Sequence, residues 1–450
     1  MFVVPTRIGG PAQAIEPRAP DDRRTYQPLP TRRHGGHGSH PRPVVPQPVP
    51  IVRQARPHER GSQTWPRRQD RPVERRCRDV WFHRPDKQGR RGQRDGRLTV
   101  TQPVEETSSP ERRPQKTAVI REPRHVPLAH VVRGDIVEGV HHGSVVVLSA
   151  DGGVAFQAGD IEAAFYPCSA LKPVQVVGML RAGLSLDDEL LALAVASHSG
   201  EERHLVGVQG ILDFAGLAEA DLRNAPDWPC DPAVREAWVR CGRGLSRLAQ
   251  NGSGTHAAML VTAQARGWPL DDYLDSGHPL QQSIAEAVED LTGERIARVT
   301  VDECGAPLFS VSLEGLTRAV AQIASADPGT EEAAVSNAIR NHPEMASGSW
   351  RDVARLMRAV PGLLANDGFE GIQVAALPDG RAVGVKIADG GDRALMPVVA
   401  AALALCGVDR GVLTEFASRP VLRGMTMVGS LRAAGALTSD FSPVPPAPEE

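Results

Sequence analysis

The chain changes character near residue 124, and that break limits where a folded core can form. Residues 1–124 carry 27 Lys+Arg against 13 Asp+Glu, a net of +14, and 19 of the 38 prolines. The whole chain has 51 and 54, so residues 125–450 carry 24 and 41, a net of −17. Apolar residues in the first stretch never keep a helix or strand period for long. Such a segment cannot bury enough apolar surface to offset its ordering entropy. Residues 1–124 are therefore expected to form a disordered, Arg/Pro-rich tail. Basic clusters such as Arg67-Arg68 and Arg75-Arg76 would suit a nucleic-acid backbone. Aromatic stacking residues are sparse there, and no zinc-finger or helix-turn-helix spacing occurs. The plainer reading is a nonfunctional extension from a start assigned too early, so nucleic acid is not an expected partner. A folded domain is expected over residues 125–435, and a second disordered tail over 436–450.

The opening residues lack the apolar stretch and cleavage site of a signal peptide. No apolar run reaches the ~20 residues of a membrane helix, so no membrane partner is expected. The six cysteines show no paired framework, which suits a reducing compartment. A cytoplasmic protein is the expectation.

Within the domain, an apolar run at 145–148, the turn Asp151-Gly152-Gly153 and a second run at 154–156 predict a β-hairpin. A second hairpin is predicted from 372–376, Pro378-Asp379-Gly380 and 382–387. Helices are expected to start near Cys168 and over 186–196 (capped by Ser185), 257–265, 281–291, 331–340, 350–358 and 396–408, the last one buried. Strands thus cluster at both ends with helices between. That order predicts an α+β fold whose sheet unites the two ends of the domain.

Ser169 and Lys172 carry the most informative chemistry. At three-residue spacing on a helix, the amine stacks one turn from the hydroxyl. A serine needs a base to become a nucleophile, and a lysine can be that base once its pKa is lowered. Three further groups join them. Ser197-His198-Ser199 follows an apolar helix and offers a second serine. Asn251-Gly252-Ser253-Gly254-Thr255-His256 enters a helix, where small residues and a positive helix end could receive a carboxylate. Lys386 alternates with Val385 and Ile387 on a strand, facing away from them.

Taken in order, these motifs, with Asp302-Glu303-Cys304, Met345-Ala346-Ser347-Gly348 and Gly368-Phe369-Glu370-Gly371, resemble the asparaginase II family. The resemblance runs from about His125 to about Ala434. It implies a serine-β-lactamase-like fold, α+β with a mixed sheet and a helical subdomain. It also implies hydrolysis of the side-chain amide of L-asparagine to L-aspartate and ammonia through a Ser-Lys acyl-enzyme. The implied pairs are Ser169 with Lys172 and Ser197 with Lys386. The implied substrate-binding residues are Asn251, Ser253, Gly254, His256 and Asp302. The family's zinc ligands are a Cys-x-x-Lys pair and a later cysteine. Here the first two read Gly252-Ser253-Gly254-Thr255, leaving only Cys304. A single thiolate does not make a zinc site, so no cofactor is expected. Cys168 replaces a common arginine, and Phe369 a small residue. L-asparagine is the expected partner, and a homodimer is left open. The alternative is an impaired paralogue that binds an amino acid without turnover.

Overall fold

The structure is a computed structural model that describes residues 122–437. Both expected tails lie almost wholly outside the described residues. Ten strands are labelled here as β1 (Val126–Arg133), β2 (Ile136–Leu148), β3 (Val154–Ala158), β4 (Val299–Val301), β5 (Pro307–Phe309), β6 (Leu364–Gly368), β7 (Ile372–Ala376), β8 (Ala382–Ile387), β9 (Ser418–Arg423) and β10 (Thr426–Ala433). The helices that matter below are α1 (Lys172–Arg181), α2 (Asp188–Ala194), α3 (Glu202–Phe214), α4 (Pro232–Arg240), α5 (Ser253–Ala265), α6 (Pro279–Thr292), α7 (Leu313–Ala324), α8 (Glu331–Asn341), α9 (Asp352–Ala359) and α10 (Leu395–Leu405).

The main sheet runs β6-β7-β8-β2-β1-β10-β9, with β3 also paired to β2. Long β2 accepts β1 along its first half and β3 along its last residues, while β8 covers the opposite edge. Strands from both ends of the domain therefore share one sheet, as the α+β expectation requires. Its pairings are antiparallel. β4 and β5 form a separate hairpin.

Hydrophobic alternation explains the packing. Val383, Val385 and Ile387 are buried, and so are Ala382 and Gly384 on the other face of β8. Both faces are covered because α7 packs on β7, β8 and β2, and α10 packs on β8 and β10. α10 is apolar and buried almost all round, as an internal helix should be. The helical subdomain is built on α1, which crosses α6, α8 and α5.

Two boundaries differ from the sequence reading for physical reasons. The cap of α2 is Asp187, whose carboxylate accepts from Leu190 N–H at 2.9 Å, not Ser185. Helix α5 begins at Ser253, so the glycine-rich run is the first turn of the helix and not a loop ahead of it.

Gly384 is where α7 meets the sheet: a Cβ there would lie 2.0 Å from Thr317 Oγ1. Thr317 is buried, and its hydroxyl donates to Leu313 O. Gly384→Ala is expected to cost about 1–3 kcal/mol through overpacking, read as a lower urea midpoint.

Candidate active site

Ser169 lies in a 3₁₀ turn, Cys168–Leu171, that leads directly into α1. Cys168 holds a left-handed backbone, φ +47°, unusual outside glycine. Both residues are buried. Helix α1 then carries Lys172 into the core, 3% exposed. Its amine donates to Ala196 O at 2.6 Å and lies 3.4 Å from Ser197 Oγ. Burial disfavours the ammonium and lowers the Lys172 pKa, against a smaller opposing pull from Cys304, Asp302 and Glu303.

The lysine thus faces Ser197. The expected Ser169–Lys172 couple makes no side-chain hydrogen bond; the two residues are joined by Lys172 N–H donating to Ser169 O, which also receives Asn366 Nδ2 at 2.9 Å. The expected Ser197–Lys386 couple is not formed. The amine of Lys386 donates to Glu370 O at 2.6 Å and Ile387 O at 2.7 Å. Strand β8 turns this side chain toward the β6–β7 turn and a separate pocket lined by His125, Ser144 and Asp160. Lys386 therefore braces the turn that carries Phe369 and Glu370.

Ser197 lines a cleft of about 580 Å³, together with Ser199, Arg351, Asp367, Phe369 and Gln373. Arg351 escaped the sequence reading. It donates to Ser197 O at 2.9 Å and ion-pairs with Asp367, which raises its pKa. Glu201 ties the same two loops together, accepting from Ser199 Oγ, Ser349 N–H and Ser349 Oγ at 2.7–2.8 Å. The Ser-Gly-Ser-Trp run at 347–350 was the available signal, because it places small polar groups just before Arg351. Phe369, half exposed, forms part of the cleft wall.

The residues of the expected substrate cradle at 251–256 are packed in the core beside Lys172 and α2. A Cβ on Gly252 would lie 3.3 Å from Lys172 Nζ, and one on Gly254 would lie 2.3 Å from Leu193 O. The glycines make room for the lysine and for α2. Ser253 is buried, donates to Leu248 O and contacts His198 Nε2 at 2.8 Å. With the serine proton committed, His198 Nε2 is the donor, and its Nδ1 accepts from Gly200 N–H. Burial keeps His198 neutral, its pKa well below the usual histidine range. His256 is buried against the Tyr273 hydroxyl at 2.9 Å, and burial pushes its pKa down to about 3. Asn251 accepts from Gln250 through its side chain and from His198 N–H through its carbonyl. Asn251, Ser253, Gly254 and His256 therefore support the Ser197 loop from behind and do not line its cleft.

Asp302 lies beside Lys172's charge environment, with Cys304 Sγ 3.9 Å from its Oδ2. The zinc implied by the family resemblance does not fit these residues. The hydroxyls of Ser253 and Thr255 are spent on backbone carbonyls, and burial raises the Cys304 thiol to about 12. A different set, Cys168, Asp302 and Glu303, brings ligand atoms within 4.8 Å of one another. Burial also raises the Cys168 thiol to about 12, and Glu303 as a residue is exposed, so no ion is assigned there.

The L-asparaginase II family model matches residues 129–433. The chain belongs to that family. It is thereby placed among hydrolases. No curated protein matches it. Among solved structures it is similar to a β-lactamase from Mycobacterium bovis, at 15% identity over 59% of this chain and 94% of that one, TM-score 0.34. A putative β-lactamase from Bacteroides dorei shares 16% identity over 57% and 92%, TM-score 0.32. EstCE1, a hydrolase with promiscuous acyltransferase activity, shares 13% over 55% and 88%, TM-score 0.30. At these scores the likenesses carry no argument about this chain. No helix among the described residues is long and apolar enough to cross a membrane.

Two outcomes follow from the charges. Unfolding lets Lys172 regain water and a proton, so its depressed pKa withdraws stability as pH falls through that pKa. Lys172→Met removes a desolvated amine from the core and is expected to keep or raise the melting temperature at pH 7. Glu303 behaves in the opposite direction. Although much of the residue is exposed, partial burial of its carboxyl, then the hydrogen bond and charge of Asp302, raise its pKa to about 7 from 4.5. The folded state keeps that proton longer than the unfolded one, so stability falls as pH rises from about 4.5 to 7. Glu303→Gln is expected to gain stability over wild type at pH 8 and not at pH 4, read from urea midpoints.

Proposed function

We propose that the chain is an amidohydrolase that converts L-asparagine to L-aspartate and ammonia in the cytoplasm, with Lys172 as general base. The observation that carries this reading is a buried lysine with a lowered pKa 3.4 Å from a cleft-lining serine hydroxyl. The neutral amine accepts the serine proton as the oxygen attacks the amide carbon. That proton then passes to the leaving nitrogen, which departs as ammonia. Water enters the vacated position and loses a proton to Lys172 as it attacks the acyl carbon; the bond to the serine oxygen breaks, Lys172 returns the proton to that oxygen, and aspartate is released. The geometry favours Ser197 as the nucleophile, since the Ser169 hydroxyl makes no hydrogen bond to the Lys172 amine. Arg351 holds the Ser197 carbonyl in place, and Lys386 holds the turn opposite. No step runs through a metal.

The test is ammonia release from L-asparagine by the full chain. Lys172→Met and Ser197→Ala are expected to lower the rate by about 10³-fold or more. The wild-type rate is expected to fall as pH drops and Lys172 takes up a proton. Mass spectrometry of the trapped acyl-enzyme identifies the serine; an acyl group on Ser169 would refute the Ser197 assignment. Absence of ammonia from either asparagine or glutamine would refute the hydrolase reading. Tight binding of unaltered asparagine would then favour the impaired paralogue, a reading motivated by the missing zinc ligands.

A further inference from the structure

Gln373 sits at the second position of β7, a strand buried along its whole length. It is 1% exposed, yet its amide nitrogen has no hydrogen-bond partner. A buried amide left unpaired costs stability, and a glutamine on a central strand has many apolar replacements. The residue opposite on β6, Asp367, is committed to Arg351, and the residue opposite on β8 is Val385. Among the described residues nothing pairs with this amide nitrogen. Gln373 instead lines the same cleft as Ser197 and Arg351.

We propose that Gln373 is a specificity-determining residue of the Ser197 cleft and that it recognises a carboxamide. An amide presents one acceptor and two donors, and so does its ligand. Two carboxamides pair edge to edge, each nitrogen donating to the other's oxygen. A carboxylate offers acceptors only. It can take the Gln373 N–H, but its second oxygen then faces the Gln373 carbonyl. The residue therefore separates an amide substrate from its acid product. This inference rests on the amide-hydrolase reading of the cleft.

The test uses the full chain carrying Ser197→Ala to stop turnover, with L-asparagine and L-aspartate as calorimetric probes. Asparagine is expected to bind at least about tenfold more tightly than aspartate. Adding Gln373→Leu is expected to shrink that preference to about threefold or less. The melting temperature of Gln373→Leu should equal or exceed that of its parent, because an unpaired amide has been removed. A lower melting temperature would show the amide to be structural and overturn the proposal. So would equal affinity for the two probes, an undiminished preference in the double variant, or no binding of either. An intact, Gln373-dependent preference in a wild-type chain that releases no ammonia would sink the hydrolase reading alone.

Discussion

A lysine amine held out of water is the constraint around which the candidate site is arranged. An ammonium ion in a dry core is costly, and the protein lowers that cost by favouring the neutral amine. The same choice creates a base able to accept a proton from a serine. Several neighbours make sense only in that light. A Cβ on Gly252 would crowd Lys172 Nζ at 3.3 Å and Gln250 Oε1 at 3.2 Å, so glycine leaves the amine room. The Ala196 carbonyl holds the amine next to Ser197. His198 and His256 stay neutral close by, so neither adds a competing positive charge.

The sheet supplies the rigid half of the cleft and the helical subdomain supplies the reactive half. Ser197 follows α2, while Asp367, Phe369 and Gln373 come from the β6–β7 hairpin. Arg351 joins the halves, with one arm on the Ser197 carbonyl and the other on Asp367. Lys386 steadies the hairpin tip from beneath. Each half is set by packing that extends well beyond the cleft, which is how a site gains precision.

Much of this was legible in the sequence, for identifiable reasons. Both hairpins carried Asp-Gly turns between apolar runs, and both formed. Helix α10 showed as an alanine-rich apolar run too short for a membrane. Lys172 and Ser197 were singled out from local spacing and from the order of motifs. Their pairing was not legible, because contact between residues 25 apart depends on how α1 and the Ser197 loop pack. The placement of the glycine-rich run at 251–256 behind the Ser197 loop, outside its cleft, was not legible for a related reason. Small residues permit close approach, but the sequence does not say what approaches, and here it is a lysine and a helix. Arg351 and Gln373 left no local signature. An arginine before a helix and a glutamine in a strand are ordinary until burial and missing partners are seen.

The most direct measurement is a nitrogen-15 NMR titration of the Lys172 side chain in the intact protein. The amine is predicted to lose its proton below the ordinary lysine range and to respond when Ser197 is replaced by alanine. A Lys172 that stays protonated up to about pH 10.4, the value of a solvated lysine, would contradict the account.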